Sequence, residues 1–162
     1  MKQFKPRKSV KKIQDEVSLQ LVSSKAKISP NIIEVNEKYK YIVMEKLDKH
    51  LIDIYDEKNI SLDYQKQLIK IYKTLDEIGV FHGDPNPLNY MIKGKKLYVI
   101  DFGMAKKIDS KLEKKLKTNQ PNLTIMTLAM ILKLKSMNYP KNSYSYLVGY
   151  IPMETRDRFG LI

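Results

Sequence analysis

The segment from His82 to Asn89 constrains the fold most, because two prolines keep it out of a regular helix. Pro85 and Pro87 lack an amide hydrogen, and each disfavours helical geometry in the residue before it. A helical pattern from Ser61 to Ile78 precedes this segment, and short strand patterns follow it. We therefore expect an α+β fold with a fixed polar loop where a helix gives way to strands.

Three long segments repeat apolar residues at the helical spacing. Ser61 is a suitable N-cap for the second, and Gly79 supplies its end. The third is apolar on almost every side, which is typical of a helix in the middle of a domain. The long helices are predicted at Lys11–Ser24, Ser61–Ile78 and Asn122–Met137, with shorter ones at Leu51–Tyr55 and Ser110–Lys117.

Four apolar runs have the length and residue types of strands. A polar turn joins the first two, and Lys93-Gly94-Lys95-Lys96 joins the last two into a hairpin. The predicted strands are Ile32–Val35, Tyr39–Met44, Tyr90–Ile92 and Leu97–Ile100.

The composition excludes several classes of site. The chain has 162 residues, which fits one domain, and 43% of them are apolar. It has no cysteine, which excludes disulfides and thiolate metal sites. The only histidines are His50 and His82, too few for a multi-histidine metal site.

The net charge of +12 comes almost entirely from lysines spread along the chain. Nucleic-acid binding is better served by clustered arginines and stacking aromatics, so we favour a solvated basic surface. The basic segment Met1–Val10 is not followed by the apolar core of a signal peptide. The longest uncharged apolar run, Gln120–Leu132, is too short to span a bilayer. We expect a soluble, intracellular, cytoplasmic protein without a membrane span.

Three polar residues suggest chemistry when taken together. Asp84 and Asn89 lie in one loop, and Asp101 ends a strand that should return beside it. Two carboxylates and a carboxamide form a hard-oxygen site suited to magnesium carrying phosphate oxygens. Asp84 is then free to accept a proton from an incoming hydroxyl group, as phosphoryl transfer requires. Taken singly, each could be an ordinary turn or strand-end residue, but their combined spacing favours a functional site.

This pattern resembles the protein-kinase catalytic loop, H-R-D-x-x-x-x-N, followed by D-F-G. The matching residues here are His82-Gly83-Asp84 with Asn89, and Asp101-Phe102-Gly103. The resemblance implies ATP and magnesium as cofactors. It makes Asp84 and His82 the catalytic-loop residues, with His82 as scaffold, and Asn89 and Asp101 the magnesium ligands.

The resemblance extends towards the N-terminus. Tyr41–Leu47 is similar to the kinase strand and hinge that receive adenine. This resemblance places Met44 at the gatekeeper position. It also implies that the backbone of Glu45, Lys46 and Leu47 binds the purine. The helix containing Glu16 is similar to the kinase regulatory helix, with Glu16 as its ion-pair glutamate. Lys2, fourteen residues earlier, is the candidate partner lysine.

The sequence also departs from the kinase pattern. No glycine-rich phosphate loop precedes the first helix, so the chain is truncated, starts further upstream, or holds ATP without a lid. Gly83 replaces the arginine of the catalytic loop, which argues against a switch by activation-loop phosphorylation. H-G-D is similar instead to RIO kinases, to the small kinase of the tRNA-threonylcarbamoyl complex and to aminoglycoside phosphotransferases. No A-P-E sequence follows Asp101.

We therefore expect one kinase-like domain over residues 1–162, two-lobed, with a reduced N-terminal lobe and hinge (1–47) and a minimal, mainly helical C-terminal lobe (48–162). The expected activity is ATP- and magnesium-dependent phosphoryl transfer to a hydroxyl, with serine or threonine of a protein as acceptor. The alternatives are a small-molecule phosphotransferase and a catalytically impaired mimic that binds a partner kinase. A basic adaptor for nucleic acid using Lys106–Lys117 is disfavoured against a solvated amphipathic helix.

Overall fold

The computed structural model describes residues 1–53 and 57–161. Helices and strands are both present, as expected from the sequence. The α-helices are α1 (Val10–Lys25), α2 (Leu62–Glu77), α3 (Ser110–Leu116), α4 (Thr127–Ser136), α5 (Ser145–Val148) and α6 (Met153–Phe159). The strands are β1 (Lys2–Gln3), β2 (Ile32–Asn36), β3 (Tyr41–Met44), β4 (Lys49–His50), β5 (Val80–Phe81), β6 (Tyr90–Lys93), β7 (Lys96–Val99) and β8 (Lys106–Lys107).

The first sheet brings the start of the chain against β3. Its strand order is β1-β3-β2, and both pairings are antiparallel. Lys2 lies opposite Ile42 in this register. One face of the sheet packs on α1 through a small apolar cluster of Phe4, Ile13, Val17 and Ile42. The cluster fixes β1 relative to α1, and so relates Lys2 to the residues of that helix.

The larger core surrounds α2. The side chains of Leu68, Tyr72 and Leu75 are fully buried there, on the face that the apolar spacing predicts. The hairpin of β6 and β7 packs on the same helix, and β4 extends it to the order β4-β6-β7. Tyr72 and Tyr90 share a hydrogen bond of 2.8 Å between their hydroxyl groups inside this core. The core thus gives the loop before β6 a rigid support.

A two-stranded sheet closes the polar loop at its base. β5 pairs antiparallel with β8, so Phe81 lies opposite Lys106. The chain therefore enters the loop at His82 beside the place where it leaves the segment Asp101–Ala105. This pairing brings the two polar motifs, which are separated along the sequence, to one end of the core.

The sequence prediction and the structure differ at two helices. Leu51–Asp53 is not helical, and the remaining residues of the predicted Leu51–Tyr55 helix lie outside the described part of the chain. The predicted helix from Asn122 begins with a π-helical turn, Asn122–Met126, before α4. This wider turn carries the buried side chain of Asn122, whose contacts are described below. None of the described helices is long and apolar enough to cross a membrane.

Gly79 ends α2 in a left-handed conformation, with φ of +76° and open space at its Cβ position. Replacement by alanine adds no clash, so its cost is the backbone strain, roughly 1 kcal/mol. We expect Gly79→Ala to lower the free energy of unfolding in urea by about that amount. Gly79→Asn should lose less, because asparagine tolerates this conformation. Equal or greater stability of Gly79→Ala would contradict this account of the helix end.

Candidate active site

His82 ties the polar loop to the end of β7. Its Nε2 donates to the carbonyl of Ile100 at 2.9 Å, and its Nδ1 accepts from the amide of Asp84 at 3.3 Å. The amide of Ile100 donates to the carbonyl of Asn89 at 2.8 Å. The backbones of Asp84 and Asn89 are thereby held next to the residue that precedes Asp101.

The ring of His82 is fully buried and packs edge-on against Phe102, with 5.1 Å between the ring centroids. Burial lowers the pKa of His82, although the bond to Ile100 and the charges of Asp84 and Asp101 favour the protonated form. A neutral ring protonated at Nε2 satisfies both contacts with the backbone. His82 therefore acts on the loop through its geometry.

A second anchor, Asn122, holds the start of the loop. Asn122 is fully buried; its Oδ1 accepts from the amide of His82 at 3.0 Å, and its Nδ2 donates to the carbonyl of Val80 at 2.7 Å. Asp76 on α2 accepts from the side chain and amide of Asn122 at 2.8 and 2.9 Å. Sequence reasoning missed both Asn122 and Asp76. A polar residue at the start of an apolar helix predicts only an N-cap and not a contact with the polar loop.

The three residues proposed for chemistry occupy different environments. Asp84 is half-buried, and its Oδ1 accepts from the amide of Asn86 at 3.1 Å. Asn89 is 5% exposed, and its Nδ2 is buried without a hydrogen-bond partner among the described residues. Asp101 has φ of +63°, and its Oδ1 accepts from the amide of Gly103 at 3.1 Å. An unpaired buried carboxamide is costly, and such groups often mark functional sites.

Lys2 connects Glu16 on α1 to Asp101. Its Nζ donates to Oε1 of Glu16 in a short contact and to Oδ1 of Asp101 at 3.0 Å. Burial lowers the pKa of Lys2, but the bonds and charges of the two carboxylates outweigh it and the net shift is upward. Burial raises the pKa of Asp101, yet Lys2 and the Gly103 amide outweigh it and the net shift is downward. Lys2 and Asp101 therefore both stay charged at neutral pH.

A second lysine, Lys8, shares Glu16 and was not anticipated from the sequence. Its Nζ donates to Oε2 of Glu16 at 2.6 Å, and Glu16 is only 2% exposed. The ammonium groups of Lys2 and Lys8 lie 5.2 and 4.9 Å from the centre of the Phe4 ring. Glu16 thus pairs with two cations at once. No sequence motif distinguishes Lys8 from the other lysines around it.

The predicted hinge follows β3. Gln20 donates to the sulfur of Met44 at 3.8 Å, and the amide of Glu45 donates to the carbonyl of Asn31 at 2.9 Å. Lys46 is exposed, whereas Leu47 is buried. Within the described part of the chain, the carbonyl of Glu45 and the amide of Leu47 have no hydrogen-bond partner. The predicted hinge therefore has one backbone acceptor and one backbone donor, two residues apart, available to a ligand.

The described residues contain no group of three or more histidine, aspartate or glutamate side chains suited to hold a metal ion. Asp101 and Asn89 offer one carboxylate and one carboxamide near the loop. Magnesium is commonly bound by one or two such groups together with phosphate oxygens and water, rather than by an all-protein cage. The carboxylate of Asp101 and the carboxamide oxygen of Asn89 fit that mode of binding, whereas the unpaired Nδ2 of Asn89 is a hydrogen-bond donor and not a metal ligand.

A comparison with models of protein families identifies the family of this chain. The model of the ABC1 atypical kinase-like domain matches residues 11–128, which include Glu16, the hinge, the polar loop and Asp101. The chain belongs to the ABC1 atypical kinase-like family. It is thus a member of the protein kinase-like superfamily, with a mixed α/β kinase-like domain.

Curated proteins similar to this chain are, by their names, a kinase, a tRNA-modification protein and an uncharacterised protein. One is a probable serine/threonine-protein kinase BUD32 homologue of Archaeoglobus fulgidus, 26% identical over 64% of this chain and 55% of its own length. Another is a probable bifunctional tRNA threonylcarbamoyladenosine biosynthesis protein of Methanobrevibacter smithii, 28% identical over 65% of this chain and 19% of its length. A third, an uncharacterised protein from the hydrogenase 1 5′ region of Clostridium pasteurianum, is 32% identical over 54% of this chain and 16% of its length. The chain spans about half the length of the first and less than a fifth of the other two.

The contacts of His82 predict its titration. We expect its pKa below 6.5 and the Nε2-protonated tautomer in long-range ¹H–¹⁵N NMR spectra, with His50→Gln to assign the signals. Because the folded pKa is the lower one, His82 stabilises the fold above pH 6.5, and this contribution is lost as the pH falls through the folded pKa. A midpoint at or above 6.5, or protonation at Nδ1, would contradict the proposed contacts.

Proposed function

We propose that this domain transfers the γ-phosphoryl group of ATP, with magnesium, to a hydroxyl group, and that its acceptor is a serine or threonine of a protein. The observation that carries the proposal is the bridge from Lys2 to Glu16 and Asp101. In kinases a lysine and glutamate pair and a metal-binding aspartate must both be in place for phosphoryl transfer. The kinase name of the Archaeoglobus relative supports the choice of acceptor.

The nucleotide-binding roles follow from the contacts. Asp101 and the side chain of Asn89 hold magnesium, which when bound neutralises phosphate charge. Lys2 is kept charged by its two carboxylates and directs its ammonium group to the phosphate oxygens. The carbonyl of Glu45 and the amide of Leu47 bind the edge of the adenine, and Met44 limits the depth of the pocket.

Asp84 orients the acceptor and takes its proton. Its Oδ1 is engaged by the amide of Asn86, which fixes the direction of the carboxylate. His82 and Asn122 are positioning residues, since His82 holds the amide of Asp84 and Asn122 holds the amide of His82. A positioned carboxylate contributes to transfer by orientation and by general-base catalysis.

The two apolar clusters support a division of the domain into two lobes. The small cluster around Phe4 and Ile42 is built from residues before the hinge, and the larger core is built almost entirely from residues after it. We assign residues 1–47 to the N-terminal lobe with the hinge, and the rest to the C-terminal lobe. Lys2 and Glu16 then come from one lobe and Asp84, Asn89 and Asp101 from the other, so the nucleotide lies between them.

Two aspartate variants separate binding from transfer. Asp101→Asn should abolish the magnesium-dependent thermal stabilisation by ATP, because it removes the carboxylate that binds the metal. Asp84→Asn should keep that stabilisation but lower phosphate transfer to a serine- and threonine-containing protein by a factor on the order of 10² or more. Asp63→Asn, on the exposed start of α2, is the matched control and should change neither.

The readouts are thermal melting with and without magnesium and transfer of radiolabelled phosphate. If ATP with magnesium stabilised the parent and Asp101→Asn equally, the assignment of Asp101 as a magnesium ligand would be wrong. Transfer that survives in Asp84→Asn would remove its role. Nucleotide binding without transfer in the parent would favour the mimic over the enzyme.

A further inference from the structure

A cavity of about 710 Å³ lies beside the proposed nucleotide site. It is bounded by β1, the loop to α1, the first turns of α1 and the segment Phe102–Ala105. Lys2 and Glu16 form part of its wall, but Asp84, Asn89 and the hinge residues 44–47 do not. The cavity therefore shares Lys2 with the proposed contacts with ATP but lies apart from the other residues proposed to bind the nucleotide.

Positive charge dominates this cavity. Glu16, one of its two acidic residues, is engaged by Lys2 and Lys8. The other, Asp15, lies 3.5 Å from Lys11, which is not part of the wall. Three further cations in the wall have no acidic partner among the described residues: Lys5, Arg7 and Lys12.

The local sequence makes this concentration of charge unfavourable on its own. The first turn of α1 contains no acidic residue, so only the neutral Ser9 hydroxyl, which accepts from the amide of Lys12, meets the partial positive charge of the helix end. Lys2 and Lys8 meet above the same Phe4 ring, with Glu16 as the carboxylate they share. Features that oppose local stability in this way are expected where a ligand compensates for them.

We propose that this cavity binds a phosphate group other than those of ATP, carried by a free polyphosphate or by a phosphorylated peptide. Arg7 supplies the planar donor fork that suits phosphate, and Lys5 and Lys12 supply point charges. Lys8 links the bound group to the active site, because it contacts Glu16 directly. Phosphate binding thus holds α1 where Glu16 meets Lys2; this regulatory consequence, but not the binding itself, rests on the proposed function.

Pyrophosphate is the probe for the first test. Calorimetric titration without magnesium, in EDTA and at constant ionic strength, suppresses binding at the magnesium-dependent nucleotide site. The double variant Arg7→Gln, Lys12→Gln should bind about tenfold more weakly or worse, because charge-assisted hydrogen bonds are lost. The matched control Lys11→Gln, Lys25→Gln removes the same charge from positions on α1 outside the cavity and should stay within about twofold of the parent.

A phosphoserine peptide and its unphosphorylated twin distinguish the source of the phosphate. Binding of either phosphorylated probe that depends on Arg7 and Lys12 supports the site, and the stronger probe indicates the source. Three results would overturn it: no binding of either probe, equal weakening by the two double variants, or an equal loss of magnesium-ADP binding in the Arg7 and Lys12 variant. If the parent binds pyrophosphate but not magnesium-ADP, the proposed function fails while the anion site stands.

Discussion

The shared carboxylate of Glu16 is the interaction on which the arrangement of the site depends. A buried charge is tolerated only when it is paired, and Glu16, at 2% exposure, is paired twice. Lys2 also binds Asp101, so its single ammonium group joins β1, α1 and the segment after β7. Removing Glu16 would leave Lys8 without an acidic partner and Lys2 with Asp101 alone, whereas removing either lysine leaves the carboxylate one partner.

The polar loop depends on a different kind of support, made by hydrogen bonds in the core and not by ion pairs. His82 holds the amide of Asp84, Asn122 holds the amide of His82, and Asp76 fixes Asn122 in turn. The site thus combines a rigid loop on the large core with a charged contact that reaches it from α1. The charged contact of Lys2 with Glu16 and Asp101 joins two separate apolar clusters. A phosphate bound at Lys8 can therefore influence this contact more than the rigid loop.

Local patterns explain why much of the architecture could be predicted. Ser61 and Gly79 mark the ends of α2, and the spacing of Asp84, Asn89 and Asp101 indicates the kinase-like family, which the family comparison confirms. Lys8 and Asn122 could not be found in this way. Lys8 is one of many lysines, and its role depends on the distance across the fold to Glu16; Asn122 acts through a π-helical turn that apolar periodicity does not reveal.

The central claim is that Lys2 and Glu16 act as one unit in nucleotide binding, and a double-mutant cycle on magnesium-ADP affinity tests it most directly. Lys2→Met and Glu16→Gln should each weaken binding, and their effects should be non-additive by on the order of 1 kcal/mol. The exposed pair of Lys11 and Asp15, 3.5 Å apart on α1, is the matched control, and its cycle should be additive. Additive losses for Lys2 and Glu16, within about 0.3 kcal/mol, would contradict the account.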